Sequence, residues 1–214
     1  MNQQGKTFAI TDFSAFRLKM LSWVNRFSIF CLLDNSQYHF SDPAFECLLG
    51  AGSKKNIECA AGNAFDQLKD FYDANTDWLM GHLAYGLKAE TEQVASTHID
   101  KIGFADMHFF IPQIIISLKE KEVKIIADDA GAVYDAIVQT KIDGHKRQTV
   151  KNIQRRFLKE EYLHAIKKIQ QHILRGDCYE INFCQEFFAV DETIDPTAVY
   201  VQLTALSPNP FSSF

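Results

Sequence analysis

Gly176-Asp177-Cys178-Tyr179-Glu180-Ile181-Asn182-Phe183-Cys184-Gln185-Glu186-Phe187 is the stretch on which the reading of this chain turns. Before it, residues 159 to 175 carry apolar side chains at helical spacing. Leu163, Ile166, Ile169, Ile173 and Leu174 form one stripe, and Lys167, Lys168 and Gln171 face water. Gly176 falls just past the helix end, where a left-handed backbone suits glycine. Cys178 to Val190 then reads as one long strand, and Asp195-Pro196 opens another helix with proline in its first position. The sequence finishes on Ser207-Pro208-Asn209-Pro210-Phe211-Ser212-Ser213-Phe214, strand-like and without a closing turn. The expectation is that the chain is the front part of something longer.

Working back from there, residues 141 to 157 are basic and polar, with Asp143-Gly144 as a turn, and form the best boundary. Residues 1–150 are expected to make an N-terminal subdomain and 151–214 the incomplete start of a second domain. In the first, residues 7 to 10 read as a short strand. Asp12 or Ser14 caps a helix through Phe16, Leu18, Leu21 and Val24. Ser28 to Leu33 is a buried strand ending in the turn cluster Asp34-Asn35-Ser36. Phe45 to Ala51 and Asn56 to Ala60 read as two strands that pair, with Gly50 and Gly52 marking a strand end or a bulge. Asn63 caps a helix with Phe65, Leu68, Phe71 and Tyr72 on one face. Trp78 to Gly86 is a glycine-bearing strand, and 88 to 104 a loop. Phe109 to Leu118 and Val123 to Ala127 form a hairpin, and Asp128 or Asp129 starts a helix with Val133, Ile137 and Val138 inward. Strands and helices mix without strict alternation, which favours an α+β fold with antiparallel sheet.

Composition excludes several classes of function. The chain has 214 residues, a net charge of −5 and 18 phenylalanines, enough for one sizeable core. Residues 141 to 175 hold ten Lys or Arg against three Asp or Glu. No aromatic residue interleaves with the basic ones between Lys141 and Arg156, as a single-strand binder requires, so the stretch reads as a solvated linker and a wet helix face rather than a nucleic-acid site. Cys31, Cys47, Cys59, Cys178 and Cys184 are odd in number, widely spaced and without a CxxC pair, which reads as reduced thiols of a cytoplasmic protein. Cys178 and Cys184 are expected on one face of a strand, too far apart to bridge and buried. No secretion signal and no membrane-length apolar run is present.

Motifs for chemistry are absent as well. Gly50-Ala51-Gly52-Ser53-Lys54-Lys55 lacks the spacing of a phosphate loop, and GxGxxG, HExxH and GxSxG do not occur. His164 and His172 are too far apart to share a metal, while His82 and His108 can meet across strands. The carboxylate pairs Glu160-Glu161 and Asp128-Asp129 sit at helix starts, where negative charge is favourable for structural reasons alone. On motif grounds no catalytic residue and no metal ligand is assigned.

Residues 162 to 187 resemble the opening of the chorismate-binding domain shared by anthranilate synthase component I, aminodeoxychorismate synthase component I and the isochorismate-forming enzymes. The pattern is a helix, Gly176-Asp177, and a strand ending in Gln185-Glu186-Phe187. Pro208 to Phe214 is similar to the family's Ala-Pro-Phe-Ser-Ala-Phe segment, Leu32-Leu33-Asp34-Asn35 to its Leu-Leu-Glu-Ser, Trp78 to Lys88 to its glycine-rich strand, and Phe104-Ala105-Asp106-Met107 to its Leu-Pro-Asp-Met. Cys178-Tyr179 and Phe211-Ser212-Ser213-Phe214 are more like the aminodeoxychorismate branch than the anthranilate branch. The resemblance implies two largely antiparallel sheets packed as a sandwich with helices outside. It implies amination of chorismate with ammonia from a glutamine amidotransferase subunit, on the way to 4-aminobenzoate and folate, with Mg²⁺ holding the substrate carboxylates through residues beyond this sequence. The chain by itself is then expected to be inactive. The alternatives are anthranilate synthase component I, a stand-alone effector-binding module and a docking piece for the amidotransferase. The family's effector pocket, often holding tryptophan, maps onto Leu33, Asp34, Asn35, Pro210, Phe211 and Ser212. Asp34 and Asn35 depart from the usual Glu and Ser.

Overall fold

Leu32, Leu49, Ile116 and Ile125 lie side by side on four neighbouring strands, and all four are fully buried. That row is the floor of the main core. The structure, a computed structural model, describes residues 5–38, 45–94, 100–142 and 149–214. It divides into two compact units, residues 1–144 with 203–214, and residues 145–202. The turn expected at Asp143-Gly144 lies outside the described residues.

The first unit is built on a seven-stranded antiparallel sheet. Its strands are β1 (Lys6–Ala9), β2 (Phe30–Asp34), β3 (Cys47–Cys59), β4 (Met80–Leu83), β5 (Met107–Leu118), β6 (Glu122–Ile126) and β9 (Ser212–Ser213). The order is β1-β6-β5-β3-β2-β9, with β4 beside β5. Residues expected as two paired strands form the single long β3, and both halves pair with β5 instead of with each other. The register shifts between Ser53 and Lys55, next to Gly52 at a φ of +66°, so the glycines mark a bulge. On its other edge β5 carries β6 along Ile115–Leu118 and β4 along Met107–Phe110. Gly81 sits where β4 crosses β5; a Cβ there would run into the carbonyl of His108.

Two helices cover one face of this sheet. Asp12 caps α1 (Phe13–Val24) by accepting from the Ala15 amide at 2.9 Å, and Asp129 caps α4 (Ala130–Gln139) by accepting from Ala132 at 2.9 Å. Met20, Leu21 and Val24 of α1 and Ile137 of α4 are fully buried, each burial contributing about 1.5–3 kcal/mol. Tyr134 of α4 stacks on Phe8 at 4.3 Å, which ties β1 to the same layer. Val138, expected inward, is exposed.

Beyond the bulge, α2 (Ala64–Asn75) packs Ala64 and Leu68 with Leu87 and Met107. Phe65 and Tyr72, expected on that inner face, are exposed. Asn63 occupies the capping position of α2 but makes no side-chain cap. Glu90, from the short α3 (Lys88–Thr91) inside the expected loop, does so instead, accepting from Gly62 at 2.6 Å, Ala64 at 2.8 Å and Phe65 at 3.4 Å.

The second unit holds β7 (Gln154–Arg155) paired with β8 (Phe187–Phe188), α5 (Lys159–Arg175) and the start of α6 (Pro196–Leu206). Glu161 accepts from the Leu158 amide at 2.7 Å, Phe183 sits between Phe157 and Tyr162, and Arg156 pairs with Glu186 at 2.7 Å. The long strand expected from Cys178 to Val190 is absent except at Phe187–Phe188. A strand exists only where its peptide groups find a ladder partner, and β7 is two residues long. Tyr179 is 100% exposed and Cys184 is also exposed, so neither sits on a buried strand face. No residue of α5 is fully buried, and Leu163, Ile173 and Leu174 of its stripe are exposed.

The Glu90 carboxylate is held below its usual range by the amides of Ala64 and Gly62 that it accepts from. A depressed folded-state value contributes stability above the unfolded value of 4.5, which is lost as pH falls through the lower folded value. Urea midpoints measured down to about pH 3 will therefore fall for the parent protein. In Glu90→Gln the midpoint will be lower at neutral pH and that part of the acid slope will be missing.

Candidate functional site

The turn after β2 is densely tied by polar contacts. Strand alternation sends Leu33 to one face of the sheet and Asp34 to the helix-covered face. Asp34 is buried there, and Arg17 of α1 reaches it. The Arg17 Nε donates to Asp34 Oδ2 at 2.6 Å, and Arg17 Nη2 also pairs with Oδ2. The other oxygen, Oδ1, accepts from the Ser36 amide at 2.8 Å. Asn35 repeats the device one residue on, its Oδ1 accepting from the Gln37 amide at 2.8 Å. These bonds hold Ser36 and Gln37 at φ of 50° and 57°, left-handed values that side-chain-to-backbone bonds make tolerable.

The last residues of the chain close onto this turn. Ser212 lies opposite Asp34 and Ser213 opposite Leu33. The Phe214 amide donates to the Leu32 carbonyl at 2.9 Å, and the Leu32 amide donates to the Phe214 carbonyl at 2.7 Å. Ser36 Oγ and Ser212 Oγ are 3.3 Å apart, and Tyr38 donates to the Pro208 carbonyl at 3.4 Å. Asn209 shapes the approach, accepting from the Phe211 amide at 2.9 Å and from Ser212 Oγ at 2.9 Å.

Of the six mapped residues, the structure brings Asp34, Asn35 and Ser212 together. Leu33 faces away from Asp34, Pro210 is half-buried, and Phe211 is 85% exposed. Asp34 is committed to Arg17 and to the turn. Asn35 is not fully used: its Nδ2 is buried and has no acceptor among the described residues. A buried amide donor without a partner costs about 1–3 kcal/mol, so this group retains the capacity to bind an oxygen.

Other candidates resolve as structure. His82 and His108 are cross-strand partners with rings 6.3 Å apart, and the His82 ring lies 3.0 Å from the Ala105 carbonyl. Among the described residues no three His, Cys, Asp or Glu gather as a metal centre requires. Cys47 is fully buried and its thiol is pushed far up by that burial; burial raises Cys31 too. At the end of α5, Gly176 takes a φ of 81°, and Asp177 accepts from Arg175 at 2.5 Å and pairs with His172 at 2.7 Å. His172 first and Arg175 second hold the exposed Asp177 carboxyl below its usual range. Sequence reasoning missed Arg17 and Glu90. Neither stands in a motif, and each meets its partner only through tertiary contact.

The family model for chorismate binding enzymes matches residues 28–214, most of the chain. The chain belongs to the chorismate binding enzyme family. No curated protein matches it. Members of this family are enzymes acting on chorismate. The turn after β2, α5, Gly176-Asp177 and β9 all lie inside the chorismate-binding match, whereas Arg17 lies before it.

Replacing Arg17 by Met strands the buried Asp34 carboxylate, and unfolding in urea will show a loss of about 3–5 kcal/mol. Adding Asp34→Asn to that variant will recover part of the loss. Equal stability of parent and Arg17→Met would show that Asp34 does not need its counter-ion.

Proposed function

We propose that this chain is the N-terminal portion of an aminodeoxychorismate synthase component I, which replaces the 4-hydroxyl of chorismate by ammonia on the way to 4-aminobenzoate and folate. The family match supports a chorismate-utilising enzyme. The observation that carries the choice of branch is the spelling Cys178-Tyr179 directly after Gly176-Asp177, together with Phe211-Ser212-Ser213-Phe214. A glutamine amidotransferase subunit supplies the ammonia in this reading, and the enzyme works in the cytoplasm. No helix among the described residues is long and apolar enough to cross a membrane.

The open apolar groups of the second unit, Leu163, Ile173, Leu174 and Ile181, fit a layer that further strands complete. In the proposed architecture that layer is the second antiparallel sheet of a sandwich with helices outside. The Mg²⁺ of the proposed reaction needs a cage of oxygen ligands. In this reading the residues that hold it belong to the longer protein. Leu33, Asp34, Asn35, Pro210, Phe211 and Ser212 are proposed as part of an effector site, with tryptophan as its ligand. The unsatisfied Asn35 amide supports such a role.

The purified 214-residue chain, given chorismate, Mg²⁺ and ammonia, will form no aminated product. A longer gene product that includes it will form the 4-amino product. Turnover by the 214-residue chain would overturn the reading as a portion, and anthranilate as the product of the longer protein would overturn the choice of branch.

A further inference from the structure

One half of the Asn35 side chain shapes the turn after β2, and the other half is idle. Its Oδ1 accepts from the Gln37 amide at 2.8 Å. That bond needs only an acceptor oxygen, which Asp or Ser supplies as well. The Nδ2 donor is surplus to the turn. Asn35 is 7% exposed, and among the described residues nothing accepts from Nδ2. A donor left over in a buried place is costly, so the turn by itself does not call for the amide. Yet the segment that carries it reaches the surface, with Ser36 half-buried and Gln37 and Tyr38 exposed.

The polar groups around Asn35 are already engaged. Asp34 Oδ2 takes Nε and Nη2 of Arg17, and Oδ1 takes the Ser36 amide. Arg17 thus neutralises the carboxylate of the turn, and a ligand's ammonium finds no uncompensated charge on it. Ser212 Oγ donates to the Asn209 carbonyl at 2.9 Å and lies 3.3 Å from Ser36 Oγ. What the turn has left to offer is a donor. A donor pairs with an oxygen, and best with an ionised one, because a charge-assisted hydrogen bond is about twice as strong as a neutral one. Resting on the effector role proposed above, we infer that Asn35 determines the specificity of that site. Its Nδ2 binds the carboxylate of the ligand, and Asp34, held by Arg17, takes no part in binding an ammonium. The ligand class is an indole carboxylate whose amino group is dispensable.

The 214-residue chain contains both the turn and the residues that close on it, and it is the protein to titrate by calorimetry. Tryptophan is compared with indole-3-propionate, which keeps the carboxylate and lacks the amino group, and with tryptamine, which keeps the amino group and lacks the carboxylate. Indole-3-propionate will bind within about threefold of tryptophan, and tryptamine about tenfold more weakly. Asn35→Asp keeps the oxygen that accepts from Gln37 and replaces the donor by an acceptor. With circular dichroism unchanged, this variant will bind tryptophan and indole-3-propionate about tenfold more weakly than the parent, and tryptamine no more weakly. Tryptamine binding as tightly as tryptophan in the parent overturns the inference, whether or not the variant folds. So does a tenfold loss on removing the amino group alone, or an unaltered tryptophan affinity in folded Asn35→Asp. Those results leave an effector site that reads its ligand differently. Absence of saturable binding by all of these indoles overturns the inference together with the proposed effector role.

Discussion

The ladder between β3 and β5 is the interaction on which the first unit rests. It runs from Cys47–Leu118 to Cys59–Met107, and every other long strand is attached to one of its two members. Register in this ladder decides which side chains meet α1 and α4 and which face outward. With the pairing as it stands, Leu49, Ile116 and their neighbours on β2 and β6 form a dry row under the helices. The same pairing assigns Leu48, Ser117 and Lys124 to the opposite side. The bulge after Gly52 then turns the far half of the ladder toward α2, where Met107 joins Ala64 and Leu87 in a separate small core.

The turn at 34–37 depends on that frame twice over. Its first residue is fixed by β2 pairing with β3, and its last residues are held by carboxamide and carboxylate groups bonding to the backbone just ahead. Arg17 joins the turn to α1, so a helix near the start of the chain and a two-residue strand at residues 212–213 converge on one short segment. A polar cluster assembled from three distant parts of the chain is costly to build, because each ordered group loses conformational freedom. Buried Asp34 cannot be left without Arg17 once the helix has docked.

Features governed by neighbours in sequence were legible beforehand. The cap at Asp12, the helix ending at Gly176, the β5–β6 hairpin and proline at the start of α6 all follow from local backbone chemistry. What failed was governed by distant pairing. The two halves of β3 read as partners because nothing local announces that β5 pairs with both. Cys178 to Glu186 has strand composition, but composition does not provide a ladder. Asn63 has the right type for a cap, yet Glu90 arrives from another element with a charge and takes the amides. Within the candidate site, that the segment at Ser212 lies beside Leu33 and Asp34 was legible through the family resemblance, whereas Phe211 stands exposed. That Leu33 and Asp34 part to opposite faces, and that Arg17 claims the carboxylate, emerged only from strand parity and helix docking.

That parity bears on which length changes this chain can tolerate. Deleting a single residue within Phe30–Asp34 would trade the positions of everything after it, carrying the acidic group out from under α1 and pushing an aliphatic side chain toward the guanidinium. A deletion of two would shorten the strand but keep odd and even residues on their own sides. Length variation within this strand should therefore come in pairs.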